Sequence, residues 1–205
     1  MSASVSPDAR EARVNLGLQQ LWYPVLASWQ LGREPRGIQR LGQHIAVWRD
    51  DAGGVRAIED RCPHRGARLS MGCSRGDKLA CWYHGVEVDA GGVVTDVPAT
   101  DQSAMRGKKI LRSYRAEEAH GAIFLWFGEG EPPPLRLPEQ LTSDEFSGFL
   151  CTAVWRCNYR YAHDNLMAPI CMRFLIRCRA ARSKHGWRWR IRQMVSCSAK
   201  PIRPT

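Results

Sequence analysis

The sequence has no apolar run approaching the ~20 residues that a membrane-crossing helix needs, so no such helix is expected. Its first fifteen residues, MSASVSPDAREARVN, are polar and contain no apolar signal segment, so a cytoplasmic protein is expected. Acidic residues are missing altogether from 172–205, where eight Arg and two Lys stand unopposed. The formal charge of +10 therefore belongs to that tail, because the preceding residues balance at 20 basic and 20 acidic groups. Nucleic-acid binding, which an evenly spread positive charge would suggest, is not expected. A disulfide framework is missing too. Of eight cysteines, those at 73, 151, 157, 171, 178 and 197 are scattered, and Cys73 reads as a free, half-buried thiol.

The other two cysteines stand in a pattern. Cys62-Pro63-His64 and Cys81-Trp82-Tyr83-His84 are separated by sixteen residues, so two short loops each offer one thiolate and one imidazole. A two-iron cluster needs four protein ligands brought from opposite sides, and this array fits a Rieske 2Fe-2S cluster. Charge explains the ligand choice. Two ferric ions, two sulfides and two thiolates sum to zero, whereas four thiolates leave the oxidised cluster doubly negative and harder to reduce. The expected potential is roughly −150 to +300 mV. A Cys2His2 zinc site uses the same side chains, but its pairs are normally spaced as C-x2-4-C and H-x3-5-H, not as mixed Cys-His pairs. Pro63 fixes the backbone between the first two ligands, and Gly66 and Gly85 let the chain turn close to the cluster. Arg65, Trp82 and Tyr83 flank the ligands and either shape the surrounding shell or serve as ordinary packing and surface residues. His44 and His120 lie in strand-like surroundings and are assigned no chemistry.

CPHRGARLSMG and LACWYHGVEVDAGGVVTDVPA resemble the N-terminal Rieske domain of the alpha subunit of aromatic ring-hydroxylating oxygenases. The similarity extends through LWYPVLASWQLG at 21–32 and WRCNYRYAHDNLM at 155–167. It implies a mainly β protein in which an antiparallel Rieske-type domain is followed by an incomplete α+β catalytic fragment. The expected boundaries are a flexible terminus at 1–20, the Rieske domain at 21–130, a Pro-rich linker at 131–138, the start of the catalytic domain at 139–171 and an aberrant basic tail at 172–205. The resemblance also implies a reductase or ferredoxin as electron donor, an aromatic substrate, a homotrimer and a mononuclear Fe(II) site.

That second iron is where the resemblance breaks. A non-haem Fe(II) oxygenase needs two His and one carboxylate on one face of the metal. In the family an Asp, a Pro and two His follow the Asn matched by Asn165; here the positions read Ala168, Pro169, Cys171 and Ile176. The third ligand lies further downstream in the family, beyond the end of this sequence. His163 and Asp164 are neighbours that do not share a helix face, and the tail offers only His185. The expectation is cluster iron without the mononuclear iron. The alternative to an oxygenase component is accordingly a Rieske ferredoxin-like electron carrier. In the tail, Trp187, Trp189 and Ile191 alternate with arginines, as in an edge strand or a basic aromatic patch, but a solvated end from an altered reading frame accounts for the abrupt change more simply.

Along the chain, 45–49 and 55–59 with the turn at 50–54 predict a hairpin, and 86–88 and 93–97 with 89–92 predict another. The segments 109–115 and 122–127 predict a third apolar pair. A strand is expected at 149–157, followed by a helix capped by Asn158.

Overall fold

A computed structural model describes residues 7–143, 145 and 155–167 and divides the chain after Arg156 into two units. The first unit contains three antiparallel sheets. One joins Trp22–Ala27 (β1), Ala122–Trp126 (β11) and Ala116–Ala119 (β10), in the order β1-β11-β10. A second joins Arg36–Arg40 (β2), Gln43–Arg49 (β3), Val55–Glu59 (β4) and Ser113–Tyr114 (β9) in that order. The third is a meander of short strands, Cys73–Arg75 (β5), Lys78–Ala80 (β6), Glu87–Asp89 (β7) and Val94–Asp96 (β8).

Strand β3 shows why the sheets stack. Side chains alternate across a strand, and here both faces are apolar. Ile45 and Val47 enter a cluster with Val25, Ile123 and Leu125 from the first sheet and with Phe127 just after β11. Ala46 and Trp48 point the other way, into a cluster with Leu69, Leu79, Val88 and Val94. All four β3 residues are fully buried, which at about 1.5–3 kcal/mol for a large apolar side chain makes this strand the spine of the unit. The Trp48 indole N–H, which burial would otherwise leave costly, donates to the Gly76 carbonyl at 3.1 Å. Cys62 and Cys81 belong to this second cluster.

Both hairpins predicted from turn residues are present, with Val47 opposite Ala57 and Val88 opposite Val94. The third pair is corrected. The partner of β11 across the His120-Gly121 turn is β10, not 109–115. Residues before it cross to the middle sheet, where Tyr114 pairs with Ala57 of β4. Leu111 explains the difference. Its side chain is buried in the cysteine-containing cluster, and its N–H and that of Ile110 both donate to Gly92 O, so this stretch is committed to the second turn. Residues 1–20, expected to be flexible, contain a helix, Pro7–Leu16 (α1). It ends at Gly17, whose φ of +108° and N–H bond to Val14 O form the turn.

The first two sheets are also tied by charge. Arg49 of β3 makes a two-pronged contact with Glu118 of β10 at 2.7 and 2.8 Å, which holds the Glu118 carboxyl down at about 2. A carboxylate held below its ordinary value of 4.5 contributes stability above that pH and loses it as the pH falls through about 2. Because Glu118 is 33% exposed, solvent screening reduces the contribution to about 1 kcal/mol. Glu118→Gln is expected to lower unfolding free energy by that amount at pH 7 and to match the wild type at pH 2, measured by denaturant titration at both.

In the second unit, Tyr159–Met167 (α2 of the fold's longer helices) begins as expected, with Asn158 Oδ1 accepting the Arg160 N–H at 3.0 Å. The expected strand at 149–157 falls mostly outside the described residues. So do Ala168, Cys171, Ile176 and the whole tail at 172–205.

Candidate iron-sulfur site

Each candidate ligand loop is a short excursion between core residues, and the two are built alike. In the first, Cys62 N–H donates to Ala67 O at 2.7 Å and Gly66 N–H returns to Cys62 O at 2.8 Å. In the second, Cys81 N–H donates to Val86 O at 2.9 Å and Gly85 N–H returns to Cys81 O at 2.9 Å. The offsets along the chain are the same in both. Gly66 and Gly85 have φ of +72° and +71°, a conformation that L side chains resist, so the two glycines close the loops as expected. Within these matched frames the histidine stands two residues after Cys62 but three after Cys81.

The loops bring all four candidate residues together, as two unlike pairs. Cys62 and Cys81 are buried and their thiols lie in hydrogen-bonding contact. Burial pushes the Cys62 thiol up, while the backbone amides of His64 and Arg65, which donate to its sulfur, pull it down. Such amides are the donors that a thiolate ligand would require. The imidazoles are exposed, with His64 Nδ1 and His84 Nδ1 only 3.1 Å apart. Each ring therefore turns its Nδ1 inward and leaves Nε2 facing away.

No group of three His, Cys, Asp or Glu side chains among the described residues is disposed to hold a single metal ion. A tetrahedral zinc centre needs four donors around one point. A thiol pair beside an imidazole pair instead suits a two-metal group, one pair to each iron. The donor set thus fits a 2Fe-2S cluster.

Residues 21–115 match the model of the Rieske [2Fe-2S] domain family. This segment is a Rieske domain. Similar proteins include oxygenase components. The terminal oxygenase component of carbazole 1,9a-dioxygenase from Metapseudomonas resinovorans is 33% identical over 160 residues, 75% of this chain and 41% of that protein. The vanillate O-demethylase oxygenase subunit of a Pseudomonas species is 35% identical over 151 residues, 71% of this chain and 41% of that protein. Among solved structures, a fluorene-bound oxygenase and ferredoxin complex of carbazole 1,9a-dioxygenase superposes with a TM-score of 0.72 at 32% identity, covering 80% of this chain and 44% of that one. The chain spans about two-fifths of the length of these two curated relatives, 41% in each case.

Two supports flank the candidate ligands, of which sequence reasoning missed the first and left the second, Trp82 and Tyr83, between a shell and a packing role. Asp60, two residues before Cys62, is a buried carboxylate that accepts the Ser70 N–H at 2.8 Å and its hydroxyl at 2.7 Å. It ties the first ligand loop to the 3-10 turn Leu69–Met71 that leads toward the second. Gly37 makes room for the pair, since a Cβ there would lie 2.5 Å from Ser70 Oγ. The only hint in the sequence was an acid next to an apolar strand end. The second support is aromatic. Tyr83 packs on the His84 ring with centroids 3.9 Å apart, and Trp82 stacks on Tyr83 at 5.4 Å. Cys73, expected to be half-buried, is exposed on β5. Its side chain joins neither apolar cluster.

Proposed function

We propose that Cys62 and Cys81 hold one iron, and His64 and His84 the other, of a [2Fe-2S] cluster, and that the chain transfers single electrons as the Rieske portion of a ring-hydroxylating oxygenase component. The observation that carries this reading is the division of four donors into a buried thiol pair and an exposed imidazole pair. Bound there, the cluster supplies reversible one-electron chemistry. The protein's own part is to keep the sulfur end dry, to donate backbone N–H groups to Cys62, and to present two imidazole edges to solvent, where a partner approaches. A rigid β framework suits this work, because a centre that does not rearrange transfers electrons with little penalty.

A reductase or ferredoxin is the proposed donor, consistent with neighbours whose structures contain an oxygenase bound to ferredoxin. An aromatic substrate and a trimer belong to the family-level reading. No helix among the described residues is long and apolar enough to cross a membrane, and a cytoplasmic location is the proposal.

A second reading, an electron carrier without oxygenase chemistry, is favoured by the sequence at Ala168, Cys171 and Ile176. None of these carries the carboxylate or imidazoles of a facial triad. Iron and sulfide analysis with EPR tests both readings together. The cluster reading expects two irons and two sulfides per chain, the content of the [2Fe-2S] group, and a signal only after reduction. Colourless protein sinks it. An additional ferrous iron with substrate-dependent oxygen uptake would restore the oxygenase reading over the carrier.

A further inference from the structure

The turn that Asp60 grips reaches toward both candidate ligand loops. Asp60 is the one buried charged side chain among the described residues, and a carboxylate away from water is tolerated only where its oxygens find donors. Its donors come from the turn eight to ten residues on. Ser70 gives its N–H to Oδ1 at 2.8 Å and its hydroxyl to Oδ2 at 2.7 Å, and Arg68 faces Oδ2 at 3.5 Å. Asp60 is held on its backbone as well, since its own N–H donates to His44 O of β3 at 2.9 Å. Strand β2 leaves the pair no slack. A Cβ at Gly37 would stand 2.5 Å from Ser70 Oγ and 3.1 Å from Asp60 Oδ2.

The far end of the same turn meets the second loop. Leu69–Met71 closes through the Gly72 N–H on Leu69 O at 2.9 Å, and Leu69 is fully buried in the apolar cluster that contains Cys62 and Cys81. Gly72 then runs so close to β6 that a Cβ there would collide with the Ala80 carbonyl oxygen, and Cys73 pairs with Ala80 itself. Residues 68–73 thus join Asp60, two positions before Cys62, to Ala80, one position before Cys81.

We propose that Asp60 and Ser70 lock a strut that sets the spacing of the two ligand loops, which makes Asp60 a positioning residue for the iron-sulfur group. The inference rests on the cluster reading above and adds what keeps the group in place. Asp60 acts through the backbone, by fixing where Cys62 and Cys81 stand before iron arrives. Groups that orient metal ligands in this indirect way govern metal affinity by about 10–100-fold.

Cluster loss from the loaded full chain tests this, followed as the decay of visible absorption in excess EDTA, with EPR of reduced samples and a denaturant titration of each variant. Asp60→Ala and Ser70→Ala are each expected to speed the loss about 10–100-fold and to shift the g values of the reduced cluster. Asp60→Asn keeps an oxygen for the Ser70 N–H and is expected to fall between the wild type and Asp60→Ala. Ile123→Val supplies the comparison, because it weakens the apolar cluster that contains neither Cys62 nor Cys81. It should lower unfolding free energy while leaving the loss rate and the g values close to those of the wild type. If Asp60→Ala fails to fold, Ser70→Ala decides alone. Loss no faster than in Ile123→Val at matched stability, or g values that stay unchanged in the alanine variants, overturns the strut. Wild-type chain without visible cluster absorption overturns instead the cluster reading beneath it.

Discussion

Replacing both His64 and His84 by cysteine is expected to lower the reduction potential by about 250 mV or more, toward the roughly −400 mV of plant-type clusters with four cysteines. The reasoning is electrostatic. Each imidazole is a neutral donor, so the wild-type pair leaves the oxidised centre uncharged, and each added thiolate contributes one negative charge that opposes the incoming electron. The geometry tolerates the change, because both rings stand at exposed loop positions and the smaller cysteine side chains give up only the contact of Tyr83 with the His84 ring and that between the two rings. A redox titration followed by visible absorption gives the answer. A doubly substituted chain that keeps its cluster and its original potential would mean that the imidazoles are not ligands. Replacing Cys62 and Cys81 instead should prevent loading altogether, since it removes the buried end of the site.

The second large effect concerns a turn far from the ligands in function but not in space. Gly92 has φ of +83°, and a Cβ there would stand 2.1 Å from the Leu111 carbonyl oxygen. That same carbonyl side of the chain is fixed by two hydrogen bonds into Gly92 O, so the neighbour cannot retreat without breaking them. Gly92→Ala is therefore expected to cost about 3 kcal/mol, combining a left-handed backbone penalty with overpacking against main chain. Gly53 supplies the control. Its φ is +82°, nearly the same, but nothing lies within 4 Å of the position a Cβ would take. Gly53→Ala should cost about 1 kcal/mol, the backbone penalty alone. Equal losses for the two variants in a denaturant titration would show that the close approach to Leu111 does not matter.

Much of the site was legible because metal chemistry constrains sequence locally. The two candidate ligand pairs, the glycines that close their loops and the Asn158 cap each act within a few residues, so local spacing was enough to single them out. The two tight hairpins were legible for the same reason, through Asp50 to Gly54 and Asp89 to Gly92. What escaped notice depends on distant partners. The segment around Leu111 has the apolar pattern of a strand, but its pairing is decided by Gly92 and Ala57, which no local period encodes. Asp60 looked like any acid at a strand end until Ser70, ten residues on, and the empty space at Gly37 placed it inside. Helix α1 was missed although its signals were present. Pro7 and Asp8 suit a first turn and Gly17 a stop, but the intervening residues lack the apolar stripe by which helices are usually recognised.

One consequence follows from where the sulfurs lie. Cys62 and Cys81 share an apolar cluster with Trp48, Leu79 and Val88, so an iron group held by these sulfurs would also fill part of that half of the protein. On the proposed assignment of these two sulfurs, delivery of iron and consolidation of the fold would be one event, since a ligand that binds only the folded form adds its binding energy to stability. The metal-free chain, with two adjacent sulfhydryls, would then be the form that proteases and air find first.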